Sequence, residues 1–330
     1  PDCAGTWGGN SVLDCNGVCG GDGPQSCYSL SWDNNGQYAY IWDDGSSDAG
    51  VFDGYTEAVT FSFWIKTQQS NYPKTLINKW NEDSPDSDRS YKIILEEGKV
   101  YVKLSGVSSR DRSDDNNFSG NNNNDRDTEW VVMGSDRIDD NQWHHVTYVW
   151  DRPTSKLYID GEYDLNASYT NFNYNISDGG DSQYFTNRFI LGTSVSMNGL
   201  YQEMGWGKIS SLEIWDIPLT AEAVTDGMGV LSQCGDNGLV GSWGLNEGSG
   251  NTSADLSCNN NTLTKNGSGP NWNNDVPDVQ VYGCTNPGAC NYNPSADVDN
   301  GTCIIIGNEI CNCNGDVFDC LGLCNGNAVE

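Results

Sequence analysis

Histidine is nearly absent from these 330 residues: there are two, adjacent at His144 and His145. A chain so poor in imidazole is a poor source of Cys/His zinc knuckles. Basic side chains are also scarce, 16 against 46 acidic ones, for a formal net charge of −30. A surface of that sign repels phosphate backbones and anionic membranes, which argues against nucleic acid as a partner. There is no long apolar run, so no segment is read as inserting in a membrane. None has the make-up of a signal peptide, and the chain is expected to be a mature or excised segment. Few stretches repeat apolar residues at helical spacing.

What is plentiful is glycine, asparagine, aspartate and serine, the residues of turns. Between them run short segments of alternating apolar and polar side chains, so the predicted class is all-β. Acidic groups among Gly and Asn suit a hard cation, above all calcium. Of thirteen cysteines, eleven lie within residues 1–27 and 284–330. Those segments have almost no apolar residues to build a core, so disulfides are expected to staple them. The spacings Cys15-x3-Cys19, Cys284-x5-Cys290 and Cys311-x-Cys313 do not form paired zinc knuckles. Disulfides imply an oxidising, extracellular location, secreted or at a cell surface.

Three regions are predicted: a cysteine-rich lead at 1–27, a body at 28–276 and a cysteine-rich tail at 277–330. Blocks opening Asp-Cys-x-Gly begin at Asp2, Asp14 and Asp319, each with Cys or Trp at its sixth position: Trp7, Cys19 and Cys324. Head and tail read as parts of one repeat, suited to joining end to end. The residues expected in that junction are Cys3, Trp7, Cys15, Cys19, Cys313, Phe318, Cys320 and Cys324. In the body, AVTFSFWIKT (58–67) sets Val59, Phe61, Phe63 and Ile65 on one face. SYKIILEEGKVYVKLSG (90–106) is a hairpin turning at Glu97-Gly98. Further inward-facing candidates are Val146, Tyr148, Leu157, Ile159, Ile190, Ile209, Leu212 and Ile214. The one helix is TAEAVTDGM (220–228), capped by Thr220. Cys234 and Cys258, the only cysteines of the body, flank LVGSWGLNEGSG and are predicted to pair. Cys284 and Cys303 are expected in disulfides of the tail.

The order FSFWIKT, NQWHHVTYVWD, KLYIDGE, RFILGTS and GKISSLEIWDIPLTAEAV resembles a laminin-G-like domain of the concanavalin superfamily over about residues 28–276. LVGSWGLNEGSGNTSADLSCNNNTLTKNGSGPNW resembles the extra strand pair that follows such domains in secreted bacterial proteins. GCTNPGACNYNPSADVDNGTC resembles a short repeat near the surface-anchored ends of similar proteins. The resemblance implies a two-sheet jelly-roll sandwich, in which His144 and His145 pack and hydrogen-bond. Related glycosidases carry Glu-x-Asp-x-x-Glu. The nearest string here, Glu162-Tyr163-Asp164-Leu165-Asn166-Ala167, lacks the third acid. Without a Ser-His-Asp set, a nucleotide loop or HExxH either, neither enzyme activity nor an organic cofactor is expected.

Family members often hold one calcium ion between an early acidic turn, here Asp33 and Asn35, and an Asp on the final strand. This sequence has Ser210 and Ser211 at the second place. Other local candidates are Asp83, Asp86 and Asp88 in NEDSPDSD, and Asp297 and Asp299 in SADVDNGT, whose spacing by two lets oxygens converge. The family's commonest binding role, carbohydrate recognition, would use exposed rings such as Tyr201 and Trp206. Asn-x-Ser/Thr acceptors stand at Asn117, Asn166, Asn175, Asn251, Asn260, Asn266 and Asn300. The expected function is a structural module or subunit of an extracellular filament or surface stalk, joined head to tail with copies of itself. The alternative is a carbohydrate-binding adhesin domain with glycans as partners.

Overall fold

The computed structural model describes residues 27–34, 36–41, 56–68, 72–80, 89–107, 126–172, 175–176, 188–196, 199–200, 207–229, 231–267, 269–278, 282–289, 298–299, 303 and 305. The strands, in chain order, are β1 (Ser29–Trp32), β2 (Ala39–Ile41), β3 (Ala58–Gln68), β4 (Lys74–Trp80), β5 (Arg89–Glu96), β6 (Lys99–Val107) and β7 (Arg126–Met133). There follow β8 (Asp140–Asp151), β9 (Thr154–Ile159), β10 (Glu162–Tyr163), β11 (Ser168–Tyr169), β12 (Asn175–Ile176), β13 (Phe189–Leu191), β14 (Val195–Ser196) and β15 (Gly199–Leu200). The last are β16 (Gly207–Trp215), β17 (Leu239–Trp243), β18 (Thr252–Ser253), β19 (Leu263–Lys265), β20 (Asn271–Asn273), β21 (Tyr282–Gly283) and β22 (Val298–Asp299), with one α-helix, α1 (Ala221–Asp226). The chain divides into two compact units. One comprises 26–225 with 231–277, and the other comprises 1–25, 226–230 and 278–330.

The larger unit is an antiparallel two-sheet sandwich. An eight-stranded sheet runs β10-β9-β8-β3-β16-β1-β20, with β17 also on β16. A ten-stranded sheet runs β11-β7-β6-β5-β4-β13-β2-β19-β18, with β12 on β6. The alternation read in β3 is realised: Val59, Phe61, Phe63 and Ile65 are fully buried between the sheets. Their cross-strand neighbours on β16, Ile209, Leu212 and Ile214, lie in the same core, as do Val146, Tyr148, Leu157 and Ile159. Each such side chain contributes about 1.5–3 kcal/mol by leaving water. Ile190 is the exception. It is buried, but Phe189 and Leu191 on either side enter the core and leave it on the outer face. Period-two alternation gives two faces and does not say which one turns inward.

Tight turns fix the register. Glu97 and Gly98, both at positive φ, close the β5–β6 hairpin, and Asp160-Gly161 does the same between β9 and β10. A Cβ on Gly98 would sit 2.3 Å from the Asp139 carboxylate, so the turn needs glycine twice over. The Thr220 hydroxyl caps α1 by accepting the Ala223 N–H at 3.1 Å. Val224 and Leu219 pack on Val149 and Tyr158, closing one end of the outer face of the eight-stranded sheet.

The segment after residue 230 is not a separate strand pair. β17 joins β16 beyond a bulge at Ser211, β18 and β19 extend the ten-stranded sheet beside β2, and β20 pairs with β1. A disulfide joins Cys234 to Cys258 across β17. In the smaller unit Cys284 is bonded to Cys303, and β21 pairs in parallel with β22. Disulfides fit an oxidising, extracellular environment. Among the described residues no helix is long and apolar enough to cross a membrane.

Candidate functional site

The outer face of the ten-stranded sheet carries an unbroken cross-strand row. Thr264 of β19 lies opposite Tyr40 of β2, Tyr40 opposite Ile190 of β13, and Ile190 opposite Asn78 of β4. Asn78 lies opposite Lys92 of β5, Lys92 opposite Lys103 of β6, and Lys103 opposite Trp130 of β7. From Thr264 to Lys103 the row faces away from the core because its chain neighbours, among them Ile41, Ile93, Val102 and Leu104, face into it. Aromatic rings sit beneath the cations. The Arg89 guanidinium lies 5.4 Å and the Lys103 Nζ 4.9 Å from the Trp80 ring centroid, and Arg188 lies 4.9 Å from that of Tyr40.

Two buried polar atoms on this face lack a hydrogen-bond partner among the described residues. Asn78, 1% exposed, donates from Nδ2 to the Trp80 carbonyl at 2.9 Å, while its Oδ1 has none. Ser105, wholly buried two residues beyond Lys103, has an Oγ in the same condition. A buried acceptor or hydroxyl left unmatched costs about 1–3 kcal/mol, which marks the place where a water or ligand group belongs.

The outer face of the eight-stranded sheet uses its polar groups internally. One row runs Trp143, Lys66, Lys208, Ser31, Asn271. Across it lies Asp275, which accepts from Lys66 and Lys208 and from Trp143 Nε1 at 3.0 Å. Burial alone would raise the Asp275 carboxyl, but these donors outweigh it and hold it at about 2. The next rows bring His145 Nε2 within 2.9 Å of Ser62 Oγ and set Glu213 opposite Ser62 and Ser242. Ser62 and His145 have the spacing of a nucleophile and its base, yet both are closed to solvent, and the pair satisfies buried sheet-face atoms. Burial pushes the His145 imidazole down to about 4 and the Glu213 carboxyl up to about 7, while Glu213 accepts the Ser232 N–H at 2.6 Å. His144 sits between Asp160 at 2.8 Å and Asp140 at 3.1 Å, and the hydrogen bond to Asp160 raises it above the usual value.

Most metal candidates named from the sequence cannot be placed. Asn35, Asp83, Asp86, Asp88 and Asp297 lie outside the described residues, and of Asp299 only its strand position is described. Asp33 is engaged: Oδ1 accepts Ser31 Oγ at 2.6 Å and Oδ2 accepts Asn271 Nδ2 at 3.0 Å. Its carboxylate thus clamps β1 to β20. Among the described residues no three His, Cys, Asp or Glu side chains are grouped to hold an ion. We therefore expect Asp33→Ala to lower stability by about 1–2 kcal/mol, equally in calcium and in excess chelator. A melting-temperature loss that appears only with calcium would make Asp33 a ligand instead.

Asp164, of the string compared with a glycosidase motif, is a turn hub. It accepts the Ser135 N–H at 2.8 Å, the Ser135 hydroxyl, and the N–H groups of Asn166 and Ala167. Burial would raise its carboxyl, but these hydrogen bonds hold it below the usual range. The sequons differ in geometry. Asn166, Asn251 and Asn260 are exposed, the last donating to the Cys258 carbonyl, whereas Asn266 donates to Gly36 O and accepts the Tyr38 N–H. For Asn175 only its place in β12 is described, and Asn117 and Asn300 lie outside the described residues. So do Tyr201 and Trp206 and the junction residues Cys3, Trp7, Cys15, Cys19, Cys313, Phe318, Cys320 and Cys324. The Asn78 row escaped sequence reading because its members are scattered from position 40 to 264; Asn78 within an apolar strand was the one local signal.

An antiparallel two-sheet sandwich of this topology, with a Trp-His-His-Val strand beside an Asp-Gly hairpin, defines a concanavalin-like jelly roll. The chain belongs to the concanavalin A-like lectin/glucanase superfamily, whose laminin-G model matches residues 33–225. Among solved structures it is similar to a Bacteroides ovatus protein described as carbohydrate binding, at 14% identity and TM-score 0.49 over 78% of this chain and 62% of that one. It is also similar to a heptameric SAP-like pentraxin from Limulus polyphemus, at 14% identity and TM-score 0.38, covering 61% of this chain and 82% of that chain. A Ruminococcus gnavus sialidase module, CBM40, bound to α2,3-sialyllactose matches at 13% identity and TM-score 0.40, over 60% of this chain and 94% of that one. No curated protein sequence matches the chain.

Proposed function

We propose that the sandwich is a carbohydrate-binding domain of an extracellular protein, with its ligand on the outer face of the ten-stranded sheet. The observation that carries this reading is the Asn78 row, where an unmatched amide oxygen and an unmatched hydroxyl lie buried near half-buried Tyr40, buried Trp80 and the cations over their rings. Saccharide hydroxyls supply both donors and acceptors for such atoms. Amide, hydroxyl, ring and ammonium groups bind; they do not supply the carboxylate pair that glycoside hydrolysis uses. Membership of a superfamily containing lectins supports the same reading. Its test is a glycan array with wild type and Asn78→Leu. The variant is expected to bind at least about tenfold more weakly, the worth of one good hydrogen bond. Its ligand-free melting temperature should fall by a few degrees at most, because the variant loses the hydrogen bond to the Trp80 carbonyl together with the orphaned acceptor. If wild type binds no glycan, or if Asn78→Leu binds as well as wild type, the reading fails.

The filament proposal rests on a different observation, the Asp-Cys-x-Gly blocks shared by both cysteine-rich segments. Deleting residues 1–27 should abolish end-to-end growth in negative-stain images while leaving the sandwich folded. Identical filaments from the truncated chain would remove it. Calcium, if bound, would be held by the acidic turns at 81–88 or in the tail. Chelation should then lower the wild-type melting temperature by mass action, and an unchanged curve would remove calcium.

A further inference from the structure

Glu213 stands in a row of hydroxyls on the outer face of the eight-stranded sheet. The cross-strand order is Thr147 on β8, Ser62 on β3, Glu213 on β16 and Ser242 on β17, and all four are buried. Residues directly opposite one another carry their Cβ atoms about 4.5–5.5 Å apart on the same face, so Ser62 and Ser242 flank the carboxyl from both sides. The 231–238 segment brings the Ser232 N–H to Oε1 at 2.6 Å, and the Ser232 hydroxyl bonds to the same carboxyl. A buried carboxylate is ordinarily matched by a cation, yet the groups acting on Glu213 among the described residues are Ser232 and the negative Asp236. Ser242 Oγ, wholly buried beside it, has no hydrogen-bond partner among the described residues. Ser62 Oγ meets His145 and Thr147, and after one donated and one accepted bond it keeps a lone pair.

We propose that Glu213, Ser242, Ser62 and Ser232 form a binding site for a small monovalent cation, sodium or potassium, which takes the place of the Glu213 proton. One carboxylate and three neutral hydroxyls make an all-oxygen donor set, the kind that suits hard ions. A single carboxylate balances a single positive charge, whereas a divalent ion would leave one charge buried and uncompensated. Binding is an exchange: the carboxylic acid releases its proton to water as the ion joins the carboxylate. The other titratable groups about the row are His145 on β8 and Asp236 in the 231–238 segment. Burial holds His145 neutral above about pH 4, so it does not repel the ion, and Asp236 adds attraction. The ion acts where the proton leaves, above about pH 7.

The test is the melting temperature of the full chain in sodium, potassium or tetramethylammonium chloride at one ionic strength, about 0.3 M, so that screening of the acidic surface is constant. At about pH 8.5 sodium or potassium is expected to raise it by at least about 3 °C over tetramethylammonium, and at about pH 5.5 the gain should vanish. In tetramethylammonium only the proton titration of Glu213 remains. Glu213→Gln should abolish the gain at the higher pH. Ser242→Ala should reduce it and leave the melting temperature in tetramethylammonium unchanged there, since its hydroxyl has no partner to lose. The wild-type comparison does not depend on the folding of any variant. Equal melting in the three salts at the higher pH would overturn the site. A gain that survives in Glu213→Gln would assign the ions to exposed carboxylates instead. A gain from calcium that is lost in Glu213→Gln and absent with sodium and potassium would overturn the monovalent assignment. A loss in Ser242→Ala confined to the lower pH would mean that the Glu213 proton is donated to Ser242 and that no ion is held.

Discussion

Glu213→Gln is expected to make stability climb by roughly 3 kcal/mol more between about pH 4 and pH 7 than it does in the wild type. Two buried groups on one sheet face oppose each other over this window. His145, 3% exposed, is held neutral down to about 4, against 6.5 in an open chain. Between those values the unfolded chain binds a proton that the folded one refuses, so stability falls as the pH falls. Glu213, 5% exposed, is protonated up to about 7, against 4.5 in an open chain. Between those values the folded chain keeps a proton that the unfolded one releases. This contribution is fully present below pH 4.5 and lost as the pH rises through about 7.

The two slopes have opposite sign over nearly the same window, and each displacement corresponds to roughly 3 kcal/mol. Glutamine keeps the acceptor for the Ser232 N–H and removes the titration, so the His145 slope remains alone. His145→Gln should do the reverse, giving a protein that loses stability as the pH rises. The neighbouring shifted groups act outside the window. The stabilisation from Asp275 is present above 3.8 and lost as the pH falls through about 2, while that from His144 is lost only above the ordinary imidazole value of 6.5. Urea unfolding at several pH values reads the slopes directly. A Glu213→Gln profile parallel to that of the wild type would sink the account.

Removing the Cys234–Cys258 disulfide by double serine substitution is expected to cost roughly 3–4 kcal/mol and lower the melting temperature by about 10 °C. The bonded residues are 24 apart, so the bond withholds the freedom of a long loop from the unfolded chain. That loop contains β17, which supplies the buried Trp243 and Val240. Hydrogen bonds hold the same region. Asp255 accepts N–H groups of Ser242, Ser257 and Asn261, and Trp243 Nε1 donates to Asn261 O at 2.7 Å. The sandwich should therefore still fold without the bond, at a lower temperature. A calorimetric shift under about 2 °C would mean that these contacts already order the loop in the unfolded ensemble.

The sequence by itself determined whatever is local. β3 announced its buried face by strict alternation, Glu97-Gly98 and Asp160-Gly161 announced their turns, and Thr220 announced the start of the helix. The scarcity of helical spacing settled the class, and the order of five motifs settled the superfamily. Only the tertiary structure decided matters that depend on partners distant in the chain. Ile190 became an outer-face residue because its strand neighbours took the core. β17 to β20 are shared between both sheets, although the resemblance implied one extra strand pair. The bond from Asn271 to the second oxygen of Asp33, 238 residues away, comes from the β1–β20 pairing. Lys92 and Lys103 are eleven positions apart and ordinary in sequence; the β5–β6 register makes them opposite neighbours. A period of two names the faces of each strand, but pairing chooses which face is buried and which charges meet, and pairing is a property of the folded chain.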